Sequence, residues 1–113
     1  MSQTATHEPT ELAPALKRFS DAVRAHFGDR LERIVLYGSR ARGDARPDSD
    51  YDVAIFVREL GNRWLELEAI APVTMAILSE QDELINPLLF QAGYWRNPSS
   101  PLMHEIRKDG VDL

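Results

Sequence analysis

The sequence contains no cysteine, which excludes disulfide scaffolds, thiolate zinc sites and thiol nucleophiles and leaves only oxygen or imidazole ligands for any metal. No apolar run approaches the ~18 residues of a membrane span. The opening stretch MSQTATHEPT also lacks the apolar segment of a secretory signal, so a cytoplasmic protein with no membrane attachment is expected. Positive charge is in deficit: 13 Lys and Arg against 18 Asp and Glu give a net charge of -5. That balance disfavours broad nucleic-acid binding, which depends on clustered cations. Neither a G-x-x-x-x-G-K-[ST] loop nor a G-x-G-x-x-G turn is present, so the usual P-loop and dinucleotide-binding readings have no support.

What is present is a globular composition, 43% hydrophobic and 27% charged over 113 residues, enough for one core and not two. Residues 1–10 are polar and aperiodic and read as a mobile tail, leaving residues 11–113 as a single domain. Leu12, Leu16, Phe19, Val23 and Phe27 recur at helical spacing, with Pro14 in the first turn and Gly28 as the stop. Arg33–Tyr37 and Tyr51–Val57 read as strands, the second with Tyr51, Val53, Ile55 and Val57 on one face. A helix from Asn62 to Glu80 is expected to place Trp64 in the core, to be acidic on its outer face and to be kinked or split by Pro72. Leu84–Phe90 is a third strand with Pro87 marking an edge or bulge, and Ser100 caps a last helix that opens on Pro101. The order implies a small α/β (α+β) fold, a mixed sheet with helices packed on it.

Charge is uneven along the chain. Arg30, Arg33, Arg40, Arg42 and Arg46 face only Glu32 and Asp44, whereas residues 59–83 hold six carboxylates and one cation, Arg63. A basic island on an acidic protein suits a compact anion. It coincides with a strand that ends at Gly38-Ser39, where backbone N–H groups open outward, a bare Gly permits close approach, and Arg40 and Arg42 add guanidinium groups. Ten residues later Ser49 precedes Asp50-Tyr51-Asp52, whose two carboxylates share one strand face. Like charges at that range call for a cation, and hard oxygen ligands favour Mg²⁺ completed by substrate phosphates. Gly38, Ser39, Arg40, Arg42 and Ser49 are the candidate phosphate-binding residues, and Asp50 and Asp52 the candidate metal-binding ones. His7, His26 and His104 have no mutual spacing that suggests a site, and Tyr94 and Trp95 read equally as interface or core cap.

The stretch LYGSRARGDARPDSDYDVAIFV resembles the signature of the DNA polymerase β-type nucleotidyltransferase superfamily, in its minimal nucleotidyltransferase branch. The resemblance implies that Gly38 and Ser39 hold a triphosphate and that Asp50 and Asp52 bind Mg²⁺. It also implies transfer of a nucleoside monophosphate, often AMP from ATP, to a hydroxyl with release of pyrophosphate. Such chains resemble antitoxins of HEPN-type toxin–antitoxin pairs, so a separately encoded helical partner is the expected acceptor. Relatives usually add a third carboxylate on a neighbouring strand; here that position falls on Asn86, which neither carries charge nor takes a proton. Two other readings follow: a degenerate module that binds nucleotide or partner without chemistry, and transfer to a small-molecule hydroxyl. The oligomeric state is left open.

Overall fold

The computed structural model describes residues 13–113; the expected tail at residues 1–10 lies outside them, as do Glu11 and Leu12. Helix α1 (Pro14–Phe27) buries Ala15, Leu16, Phe19, Val23 and Phe27 and stops at Gly28, whose φ of 55° is a conformation glycine takes without strain. A 3₁₀ turn, Gly28–Arg30, leads into strand β1 (Leu31–Tyr37), followed by a one-turn helix α2 (Ser39–Arg42) and strand β2 (Tyr51–Val57). Helix α3 (Arg63–Gln81) is capped by the Asn62 side chain, which accepts from the N–H groups of Trp64 and Leu65 at 3.0 and 3.2 Å. Strand β3 (Ile85–Gln91), a second 3₁₀ turn (Tyr94–Arg96), helix α4 (Pro101–Asp109) and the two-residue strand β4 (Val111–Asp112) complete the order. The sequence pattern showed no signal for β4.

The strands lie in the order β3-β2-β1-β4, with β2 and β3 parallel and the other pairs antiparallel. One face, carrying Ile34, Leu36, Tyr51, Val53, Ile55, Val57, Ile85 and Leu89, is buried under α1 and α3. On the other face Val35, Tyr37, Ala54 and Phe56 pack against Met103 and Ile106 of α4. Strand β2 is thus apolar on both faces along most of its length because both are covered, and only its first residues are free to be acidic.

Strand β3 forms one edge. Tyr51 N–H donates to Leu84 O and Ala92 N–H to Val57 O, both at 2.9 Å, so the even-numbered residues of β3 bond to β2 and the odd-numbered ones face outward. At that outer row Pro87 has no N–H to offer, and Arg63 Nε occupies Leu89 O at 2.9 Å. The edge position expected for Pro87 is therefore observed.

Helix α3 departs from expectation in three ways. It runs unbroken through Pro72, because Pro72 is exposed and removes a single hydrogen bond on the solvent side. Trp64 is 75% exposed rather than in the core; Ile70 and Ile77 fix the inward face, and Trp64 falls away from it. The outer face is mainly apolar rather than acidic, since Glu66 turns aside to meet Arg30 at 2.8 Å and Glu68, Ser79 and Glu80 are the polar residues among its exposed apolar ones.

Candidate active site

The site lies where β1 ends and β2 begins. Gly38 follows β1 with φ of 79°, and a Cβ added there would meet Asp52 Oδ2 at 2.6 Å. Glycine is required twice over, once by the backbone and once by the carboxylate against it. Ser39 opens α2, and the first intrahelical bonds run from Ala41 and Arg42 N–H to Gly38 O at 3.1 Å. The N–H groups of Ser39 and Arg40 precede those bonds and are the open donors that a phosphate oxygen would take.

Register sets the acidic pair. Asp52 sits opposite Tyr37 on β1 and opposite Asn86 on β3. The Asn86 amide Nδ2 donates to Asp50 Oδ2 at 2.8 Å. Gly38, Asp50, Asp52 and Asn86 therefore converge from three strand ends, whereas Glu83 accepts from the Tyr51 hydroxyl at 3.0 Å and Asp82 ends α3 in a left-handed conformation. Asn86, rather than either of those acids, is the side chain that meets the acidic pair. Among the described residues no group of three or more His, Cys, Asp or Glu side chains is placed to hold a metal. Two carboxylates and an amide nonetheless fit a Mg²⁺ that completes its shell with phosphate and water oxygens. Tyr37 beneath them is held neutral: burial, with the Asp52 and Glu105 carboxylates, pushes its hydroxyl up to about 12. Burial and the bond to Glu83 likewise raise Tyr51. An open cavity of about 390 Å³ adjoins Asp50, lined by Pro47, Asp48 and Ser49 on one side and Leu78 and Leu84 on the other.

The arginine island is largely spent on structure. Arg30 forks onto Glu66 at 2.8 and 3.1 Å, and Arg33 onto Asp112 at 3.0 and 2.9 Å. Arg42 pairs with Asp44 and Glu105 at 3.3 and 3.4 Å. Arg40 lies over the Tyr51 ring at 4.3 Å and donates to the carbonyls of Pro47 and Ser49, which ties down the loop before the acidic pair. That loop also uses Ser49, whose Oγ accepts from Arg46 N–H at 2.9 Å. Arg46 alone of the five has no side-chain partner among the described residues. Sequence reasoning singled out Arg40 and Arg42 by proximity and passed over Arg46, because which arginine is already paired depends on acids distant in the chain.

Residues 16–98 match the family model described as the nucleotidyltransferase domain. The chain belongs to the nucleotidyltransferase domain family. It is similar to the proposed protein adenylyltransferase MJ0141 of Methanocaldococcus jannaschii, 28% identical over 103 residues that span 91% of this chain and 99% of the relative. In fold it resembles a proposed nucleotidyltransferase from Sulfolobus solfataricus (TM-score 0.60, 21% identity, 87% of this chain and 75% of that one). It also resembles a toxin–antitoxin structure solved with AMP-PNP (TM-score 0.57, 19% identity, 88% and 72%). The Gly38-Ser39 turn and the Asp50/Asp52 pair lie within the matched residues, as does Asn86.

Proposed function

We propose that this nucleotidyltransferase moves AMP from ATP to a hydroxyl of a separate protein, as the antitoxin partner of a HEPN-type toxin, in the cytoplasm. The observation that carries the reading is the contact between the Gly38 turn and Asp52, which puts the phosphate-binding end of the motif against its acidic end. Gly38 and the N–H groups of Ser39 and Arg40 cradle the triphosphate; Arg46 is the cation free to approach it. Asp50 and Asp52 would hold Mg²⁺, which when bound supplies charge neutralisation for the phosphates. Arg40 and Ser49 keep the intervening loop in place. The acceptor oxygen forms a bond to the α-phosphorus, the bond between the α-phosphorus and the bridging oxygen breaks, and pyrophosphate leaves in line. Asn86 cannot take the acceptor's proton, so it passes to one of the two aspartates. The fold relative solved with AMP-PNP in a toxin–antitoxin pair and the adenylyltransferase relative support both nucleotide and acceptor class.

The test is incubation with Mg²⁺ and α-labelled ATP, with and without the product of the adjacent gene. Label on that protein, lost with Asp52→Asn, is expected. The amide at position 86 favours a second reading, a binding module without chemistry. A stable complex that never acquires label would establish that instead.

A further inference from the structure

Helix α3 carries apolar residues on its outer side as well as its inner one, with Glu68 and Ser79 the polar residues in the middle of the outer arc. Ile70 and Ile77 turn inward and are buried. At about 3.6 residues per turn the opposite arc carries Trp64, Leu65, Ala69, Pro72, Met75 and Leu78, all exposed. Met75 is 65% exposed, close to the 75% of Trp64. A helix apolar on both sides is ordinarily covered on both, and an exposed apolar strip of this kind marks an interaction surface. The strip is continuous with the candidate site, for Leu78 at its end lines the cavity that also contains Asp50.

Its surroundings are acidic. Glu68 stands within the arc, and Glu80, Asp82 and Glu83 cluster at its C-terminal end. Arg63, the only cation between residues 59 and 83, is turned toward β3 by its bond to Leu89 O. Glu80 pairs with Arg18, while Glu68 and Asp82 have no ion-pair partner among the described residues.

We infer that the outer face of α3 seats an amphipathic helix of the acceptor protein, its apolar stripe bordered by Lys and Arg, with one end delivered to the Asp50 cavity. The acceptor role of that partner rests on the transfer reaction proposed above; the surface and its charge do not. Charge selects the occupant. A second copy would bring another acidic margin on a chain of net charge -5. Residues 1–12 contribute Glu8 and Glu11 and only Met1 and Leu12 as large apolar residues, so they supply neither stripe nor positive border.

The test uses the full chain without nucleotide or metal. The probe is a synthetic helical peptide of about 20 residues, matching the length of α3, with Leu and Ala on one stripe and Lys along both borders. The comparator carries Glu in place of every Lys. Fluorescence anisotropy should show the Lys peptide binding at least about tenfold more tightly, with a blue shift in emission that is lost in Trp64→Phe. Met75→Glu should weaken binding about tenfold although it adds negative charge, which separates docking from diffuse attraction. Equal affinity for the two peptides, or affinity unchanged by Met75→Glu, overturns the inference. So does a concentration-dependent dimer that covers Trp64, or binding that appears only after residues 1–12 are deleted. Peptide binding without transfer of label would leave this surface standing while the transfer proposal fails, and transfer without peptide binding would do the reverse.

Discussion

A methyl group at position 38 would meet Asp52 Oδ2 at 2.6 Å on backbone with φ of 79°, so Gly38→Ala strikes both the turn and the acidic pair. Left-handed strain of this sort costs about 1–3 kcal/mol. A drop of that size in urea unfolding, together with loss of ATP binding by calorimetry, is the expected outcome, and a variant that keeps parental ATP affinity would refute the cradle. Asn86 gives a prediction of opposite sign. Its amide donates to Asp50; Asn86→Asp removes that donor and sets a third carboxylate beside the first. In metal-free buffer the variant should melt earlier than the parent, and Mg²⁺ should raise its melting temperature more than the parent's. With a third carboxylate to take the acceptor's proton in place of a metal-binding aspartate, pyrophosphate release should rise by ~10²–10⁴. Failure of both Mg²⁺ effects would remove position 86 from the metal site. The arginines divide in the same manner: Arg42 is held by Asp44 and Glu105, so Arg42→Ala should leave ATP affinity near parental, whereas Arg46→Ala should lower it. The reverse ranking in a titration would contradict the proposed anion cation.

At the scale of elements, the clasp between the first 3₁₀ turn and α3 carries a pH signature. The two hydrogen bonds from Arg30, opposed in part by burial, hold the Glu66 carboxyl below its ordinary 4.5. A carboxyl depressed in the folded state contributes stability above its unfolded value, and that contribution is lost as pH falls through the folded value. Urea midpoints followed from neutral pH down past 4.5 should therefore fall less steeply for Glu66→Gln than for the parent; parallel acid limbs would mean that the clasp contributes nothing. The elements themselves were readable where local chemistry sets them. The β-branched and aromatic run from Tyr51 to Val57 marks β2, Asn62 and Ser100 are caps in the structure, and Gly28 stops α1. Asp50, Asp52 and Gly38 were legible as a cluster because a strand, a glycine turn and an acidic strand start are all short-range signals. What stayed hidden depends on long-range pairing. β4 is two residues long and exists only through its partner Leu36 and Val35 on β1. On α3 the stripe through Ile70 and Ile77 is the buried one, and only its margin at Trp64 was misread, because a helix apolar on most sides has little periodicity to show where the covered side ends.

At the scale of the whole molecule, the site spans the two kinds of strand pairing in the sheet. β1 and β2 are antiparallel neighbours joined through residues 38–50, while β2 and β3 are parallel and joined through all of α3. The Asn86–Asp50 bond thus closes a separation of 36 residues. Parallel pairing through a crossover rewards the chain only after the longer loop has been closed and its helix docked. The order of folding follows from this: the hairpin that holds Gly38, Asp50 and Asp52 forms ahead of the strand that brings Asn86. Val35→Ala, on β1, should then slow folding, whereas Leu89→Ala, buried on β3, should act mainly by speeding unfolding. Truncations of this kind cost about 1–5 kcal/mol, above the ~0.6 kcal/mol below which such ratios lose meaning. Equal φ-values at the two positions would deny the order. If it holds, each molecule emerging from refolding passes through a stage in which the phosphate turn and both aspartates are assembled and the amide that steadies Asp50 is not, and local opening of β3 returns the folded protein to that same stage.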